Sequence, residues 1–324
     1  MTSITELKFC KHKATKLIYF FLIQTIKNYL GNYFNSRNKI FNYLFMKKKI
    51  SIIGCGAIGS ELAQHVDSNM GENITLLSLL DIRLENAQIV KSKLIHNSPL
   101  IFENFDKFTK SESFKDVELV VEAASQNAIT SYLNQLILFK KDVLVMSVGA
   151  FANSDFFSEV KRNVERTNTN IYVPSGAIAG IDALKSVKNS ISYVTLTTTK
   201  NPNSLKDSPF FKNNNLTVDS FKKRTLIFEG SAIEAVQNFP TNVNVAALLG
   251  LAGIGVEKTK VNVIADPSIR INKHEIKVIG KFGELIVRVK NIPSPTNPKT
   301  SYLAVLSVIE CLRSITTKGI KYGT

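Results

Sequence analysis

Residues 47–66 read KKKISIIGCGAIGSELAQHV. A short apolar run, Ile50, Ile52 and Ile53, meets three glycines at G-x-G-x-x-G spacing, Gly54, Gly56 and Gly59, and a helical apolar pattern follows at Ile58, Leu62 and Val66. Strand, tight turn and helix in that order suit a dinucleotide pyrophosphate. Gly54 permits the turn, Gly56 removes a side chain that would block the phosphates, and Gly59 lets helix and strand approach closely. The helix start offers unsatisfied N–H groups and a partial positive charge. Gly54, Gly56, Ala57, Ile58 and Gly59 are therefore candidate cofactor-binding residues. A plain glycine-rich turn has the same spacing, so the motif depends on its context.

That context is an alternation of strands and helices. Residues 74–81, ITLLSLLD, form a buried-type strand ending in Asp81, 22 residues beyond Gly59. A carboxylate near this position accepts hydrogen bonds from the adenosine ribose. It could also cap the helix that follows. A carboxylate here repels a 2′-phosphate, which favours NAD, while Arg83 keeps NADP open. The strands within 117–125 and 142–151 run into the small-residue loops Ala123-Ala124-Ser125 and Ser147-Val148-Gly149-Ala150. In a doubly wound sheet such loops face the cofactor crevice, so Ala123 and Ala124 are further candidates. Tight packing is the other reading of them.

Past residue 190 the texture changes. ISYVTLTTTK, 191–200, alternates with period two, as a half-exposed antiparallel strand does. Residues 201–223 are polar, with Pro202, Pro209 and three consecutive asparagines, and read as a flexible excursion and candidate lid. Asn242 and Asn244 directly precede an apolar helix, and three alternating stretches follow at 260–265, 274–281 and 283–290. The last helix, 297–315, carries Leu303, Leu306, Val308, Ile309 and Leu312 as a wide apolar stripe. The expected fold is α/β: a Rossmann-type doubly wound parallel sheet (47–174), an α+β substrate and dimerisation domain with a mostly antiparallel sheet (175–296), and a C-terminal helix (297–324) returning to the nucleotide domain.

A composition of 44% hydrophobic residues with 9% aromatics is globular. The formal charge of +15 suggests an anionic partner until its distribution is read. Residues 1–49 hold nine Lys, one Arg and one Glu, which leaves only +6 for the rest, so no nucleic-acid partner is expected. The apolar stretch 17–26 is broken by Gln24 and is shorter than the roughly 18–20 residues of a bilayer span. No membrane span is expected, and no A-x-A-like cleavage site follows. Residues 1–46 read as a basic amphipathic surface helix, a disordered tail, or a stretch upstream of a working start at Met46. Three scattered cysteines exclude a disulfide framework and a zinc site, and point to a reducing cytoplasm. No metal is expected.

A nicotinamide enzyme needs one group to manage the substrate proton. Of four histidines, His12 lies in the basic extension, and His65 and His96 lie in or beside helices of the nucleotide half. His274 remains by elimination. On composition alone, a surface histidine at the start of an exposed strand is the commoner reading.

The motifs Gly54-Cys-Gly-Ala-Ile-Gly59, Glu122-Ala-Ala-Ser125, Ser147-Val-Gly-Ala150, Ser175-Gly-Ala-Ile178, Phe228-Glu-Gly-Ser-Ala232, Asn242-Val-Asn-Val-Ala-Ala247, Ala265-Asp-Pro267, His274-Glu-Ile276, Phe282-Gly-Glu284 and Asn297-Pro-Lys-Thr-Ser301 occur in this order. From about residue 47 onward the chain resembles the L-aspartate dehydrogenases of the prokaryotic, NAD-biosynthetic type. The resemblance implies oxidation of L-aspartate to iminoaspartate, which water converts to oxaloacetate and ammonia, or the reverse amination of oxaloacetate. It also implies that His274 is catalytic and that Ala177 and Asn244 contact NAD.

Physical roles can be added to these expectations. Lys299, Thr300 and Ser301, at a helix N-terminus, suit a dicarboxylate substrate. Asn242 and Asn244 can orient the nicotinamide carboxamide or the substrate, with N-capping as the alternative. His274 either binds a substrate carboxylate or exchanges the amino-group proton, and an ordinary imidazole titrates near neutral pH. The rival readings are a homoserine dehydrogenase-like or dihydrodipicolinate reductase-like enzyme, and an NAD-binding regulatory protein without turnover. A homodimer is expected, through the exposed antiparallel sheet.

Overall fold

The isoleucines ahead of the glycine turn are buried because their strand lies in the middle of a sheet covered on both faces. In the computed structural model, which describes residues 47–240, 244–294 and 300–322, β1 (Lys48–Ile53) pairs in parallel with β2 (Ile74–Leu80) on one side and β4 (Leu119–Glu122) on the other. With β3 (Leu100–Phe102), β5 (Asp142–Val145) and β6 (Ile171–Tyr172), the order is β3-β2-β1-β4-β5-β6, all parallel. The order reverses between β1 and β4, which opens a crevice at the carboxyl ends of the strands. Helices α1 (Ala57–Asn69), α2 (Leu84–Ser92), α3 (Gln126–Leu138) and α4 (Ser154–Thr167) connect these strands.

The second sheet has the order β11-β10-β7-β9-β8, formed by β7 (Ile191–Lys200), β8 (Thr225–Ser231), β9 (Lys260–Ala265), β10 (Asn272–Gly280) and β11 (Gly283–Asn291). Its pairs are antiparallel except β7 with β9. β7 is thus a central strand of a mostly antiparallel sheet, antiparallel to β10 and parallel to β9. Alternation sorts its faces. Val194 and Leu196 of β7 and Ile276 and Val278 of β10 enter the core, with α5 (Asn244–Ala252) contributing to the same core. The other face carries charged cross-strand pairs such as Arg288 with Glu275 and Lys277 with Glu284.

The C-terminal helix α6 (Tyr302–Thr316) returns to the first sheet, where Val305, Val308, Ile309 and Leu312 join the cluster of Ile50, Ile52 and Leu62. Each such burial contributes about 1.5–3 kcal/mol. Leu306 departs from the expected stripe and is exposed, because Val305 takes the inward position.

Residues 201–223 also depart from expectation. Leu205, Phe211 and Phe221 are buried in the core, Phe210 lies 5.1 Å from the ring of Phe239, and Asn201 Nδ2 donates to the Pro267 and Ile269 carbonyls. The segment is anchored to the core through these side chains rather than looping free of it. Its prolines and asparagines serve short helical turns: Pro202 begins one of these turns, and Asn201 caps it.

Candidate functional site

Close backbone approach requires glycine at two positions of the turn. Gly54, at φ +94°, lies against Ala123, where a Cβ would come within 2.6 Å of the Ala123 carbonyl. A Cβ at Gly59 would sit 1.8 Å from the Gly54 carbonyl oxygen. At Gly56 it would meet nothing within 4 Å, and Gly56 is the N-cap of α1 with no side-chain capping bond. Open space in front of unsatisfied helix N–H groups, beginning with those of Ala57 and Ile58, fits a pyrophosphate. Ala123 and Ala124 adjoin this turn, Ala123 N donating to the Ile53 carbonyl.

Asp81 follows the end of β2, beside the glycine turn. Its Oδ2 accepts from Cys55 N at 2.8 Å, and its Oδ1 accepts from Arg83 N at 2.8 Å and from Asn86 Nδ2 at 3.3 Å. It therefore braces both the glycine turn and the entry to α2, while Arg83 occupies the N-cap position.

A second cluster forms one cleft of about 750 Å3, open solvent included. Its lining comprises Ile58 of α1, Met146 and Val148 after β5, the turn Pro174, Ser175, Gly176 and Ala177, Lys200, Asn244, Val245 and Leu248 of α5, His274, and Thr300, Ser301 and Ala304 around the start of α6. Ile58 links the glycine turn to this cleft. The structure thus brings together Ala177, Asn244, His274, Thr300 and Ser301. Asn242 and Lys299 lie outside the described residues.

Each of these groups is held from behind. The Ala177 carbonyl accepts from the buried Asn291 Nδ2 at 2.7 Å. Asn244 Oδ1 accepts from Gly149 N at 3.3 Å, so its amide ties α5 to the loop after β5. Ser301 Oγ accepts from Asn272 Nδ2 at 3.3 Å, and Ser294 N donates to the Thr300 carbonyl at 2.7 Å.

His274 is 3% exposed, which excludes the surface reading. It sits opposite Thr198 in the β7–β10 register, with Thr198 Oγ1 3.1 Å from His274 Nδ1. Burial first, and then the charge of Lys200, push its pKa down to about 3. The imidazole is therefore neutral across the physiological range, and the expected switching near pH 7 does not apply.

Two site residues carry no assignment in the sequence reading. Lys200 is buried at the end of β7 and lines the cleft, and burial pushes its pKa down to about 8. Its signal was parity: it continues the inward series Val194, Leu196, Thr198. Glu122, also buried, accepts from Ala124 N at 2.8 Å, Met146 N at 3.2 Å, Ser147 N at 3.0 Å and Ser147 Oγ at 2.7 Å, and so joins the loops after β4 and β5. Burial raises its pKa, the hydrogen bonds opposing that shift. An acid ending an otherwise apolar parallel strand is the corresponding sequence signal.

Comparison with known proteins adds independent information. Residues 54–174 match the family model described as homoserine dehydrogenase, NAD binding domain, and residues 182–315 the one described as aspartate dehydrogenase, C-terminal. The L-aspartate dehydrogenase of Methanococcoides burtonii is 45% identical over 268 residues, 82% of this chain and 96% of the relative. That of Nitrosopumilus maritimus is 41% identical over 279 residues, 86% of this chain and 100% of the relative. The crystal structure of aspartate dehydrogenase from Thermotoga maritima matches with a TM-score of 0.65 at 29% identity, over 85% of this chain and 99% of that one.

Proposed function

The chain belongs to the L-aspartate dehydrogenase family, and on that premise we propose that it oxidises L-aspartate at Cα to iminoaspartate, which water converts to oxaloacetate and ammonia. The observation that carries this reading is the convergence of His274, Asn244, Ala177, Thr300 and Ser301 on the cleft that Ile58 joins to the glycine turn.

When bound, oxidised nicotinamide supplies the hydride acceptor. The chain's own residues then have separable tasks. Helix α1 and Gly56 bind the pyrophosphate, and Asp81 the adenosine ribose, which favours NAD over NADP by charge. Ala177 and Asn244 orient the nicotinamide end. Thr300 and Ser301 donate to a substrate carboxylate, with Asn242 and Lys299 assigned to the substrate by sequence alone. His274, with Nδ1 engaged by Thr198, accepts the proton that the substrate amino group loses as the C=N bond forms, and neutral imidazole is the form able to accept it.

Residues 47–174 act in this reading as the NAD-binding domain and 175–296 as the substrate and dimerisation domain. Tyr193, Ile279 and Ile286, exposed on the outward face of β7, β10 and β11, support a homodimer. Free Cys55 and Cys311 suit a reducing cytoplasm.

The test is NADH consumption with oxaloacetate plus ammonium, run beside NADPH and beside L-homoserine in the oxidative direction. Ammonium-dependent oxidation of NADH supports the reading. Turnover confined to homoserine would replace it.

A further inference from the structure

Lys200 is buried, 5% exposed, and stands on the cleft wall at the end of β7. Among the described lining residues it is the cationic one; the others are apolar or neutral, His274 included. A dicarboxylate entering a cleft walled by Met146, Val148, Val245 and Leu248 loses hydration that only charge-matched partners restore.

Register fixes where Lys200 stands. His274 is opposite Thr198, and Lys200 is two residues further on the same inward face of β7, a diagonal neighbour at roughly 7–8 Å between backbones. A group held by Lys200 is thereby displaced from one held by His274, as the side-chain carboxylate of aspartate is displaced from its amino group. We propose that Lys200 is a specificity-determining residue whose ammonium receives the side-chain carboxylate of the substrate, so that the cleft selects dicarboxylic over monocarboxylic amino acids. This rests on reading the cleft as an amino-acid dehydrogenase site.

The experiment compares the full chain with Lys200→Met and Lys200→Gln. Two variants are made so that loss of fold in one, detected as loss of NADH binding, leaves the other to decide. The expected result is a KM for L-aspartate raised by roughly 100-fold with kcat much less affected, and a parallel loss of competitive inhibition by succinate, at unchanged NADH affinity. Inhibition by succinamate, which lacks the second charge, should differ little between wild type and variant. A fall in kcat at constant KM, or succinate inhibition equal to that of the wild type, would overturn the proposal. If the wild type does not oxidise aspartate, the reaction assignment fails. The thermal shift given by succinate, present in the wild type and absent in the variants, still tests the lysine.

Discussion

Thr198 and His274 face each other across adjacent antiparallel strands, both side chains buried, with the threonine hydroxyl 3.1 Å from Nδ1. The contact occupies one ring nitrogen, Nδ1. Thr198→Val keeps the shape and removes the partner, which leaves a buried polar nitrogen unsatisfied at a cost of about 1–3 kcal/mol. We expect kcat to fall by roughly 10- to 100-fold with NADH affinity unchanged, and Thr198→Ser to restore most of it. An unaffected kcat would remove Thr198 from the account.

His274→Ala tests the histidine itself. General acid–base groups contribute about 10²- to 10⁴-fold, so turnover should fall by that order while NADH binding persists. Full turnover in this variant would refute the assignment.

The glycine turn allows a sharper contrast. Gly59→Ala drives a methyl into the Gly54 carbonyl, so its melting temperature should drop, whereas Gly56→Ala has space and an ordinary φ of −70°. Gly56→Ala should fold with wild-type stability and bind NADH at least about tenfold more weakly, since the added methyl occupies pyrophosphate space. Equal NADH affinity would show that the phosphates lie elsewhere.

How much of this was legible in the sequence follows from what each residue's signal is made of. The first sheet was readable because apolar runs, glycine spacing and the position of Asp81 are local. His274 was reached only by elimination and resemblance, since its burial depends on β10 pairing with β7, 76 residues away in the chain. Lys200 went unassigned because a lysine at a strand end usually lies in water, and only the register shows that its parity points inward. Residues 201–223 read as a loose excursion because turn residues dominate their composition, while Leu205, Phe211 and Phe221 supply the anchoring.

The buried titrating groups give stability a pH signature. His274 is held at about 3 rather than 6.5, so between those values the unfolded chain binds a proton that the folded chain refuses, and stability rises with pH through this window. His274→Gln should flatten that slope in thermal unfolding of the cofactor-free protein; an unchanged slope would show that other groups set it. Lys200, held at about 8 rather than 10.5, acts in the same direction at alkaline pH. Lys200→Met should therefore raise stability at neutral pH, by something on the order of 3 kcal/mol, with the gain shrinking as pH climbs past 8.

Removal of hydride from aspartate in this cleft is tested most directly by initial-rate formation of NADH by the full chain with L-aspartate and NAD. The expected result is saturable, aspartate-dependent NADH formation with oxaloacetate and ammonia appearing in equal amounts, faster with NAD than with NADP. NADH binding without any aspartate-dependent turnover would contradict it.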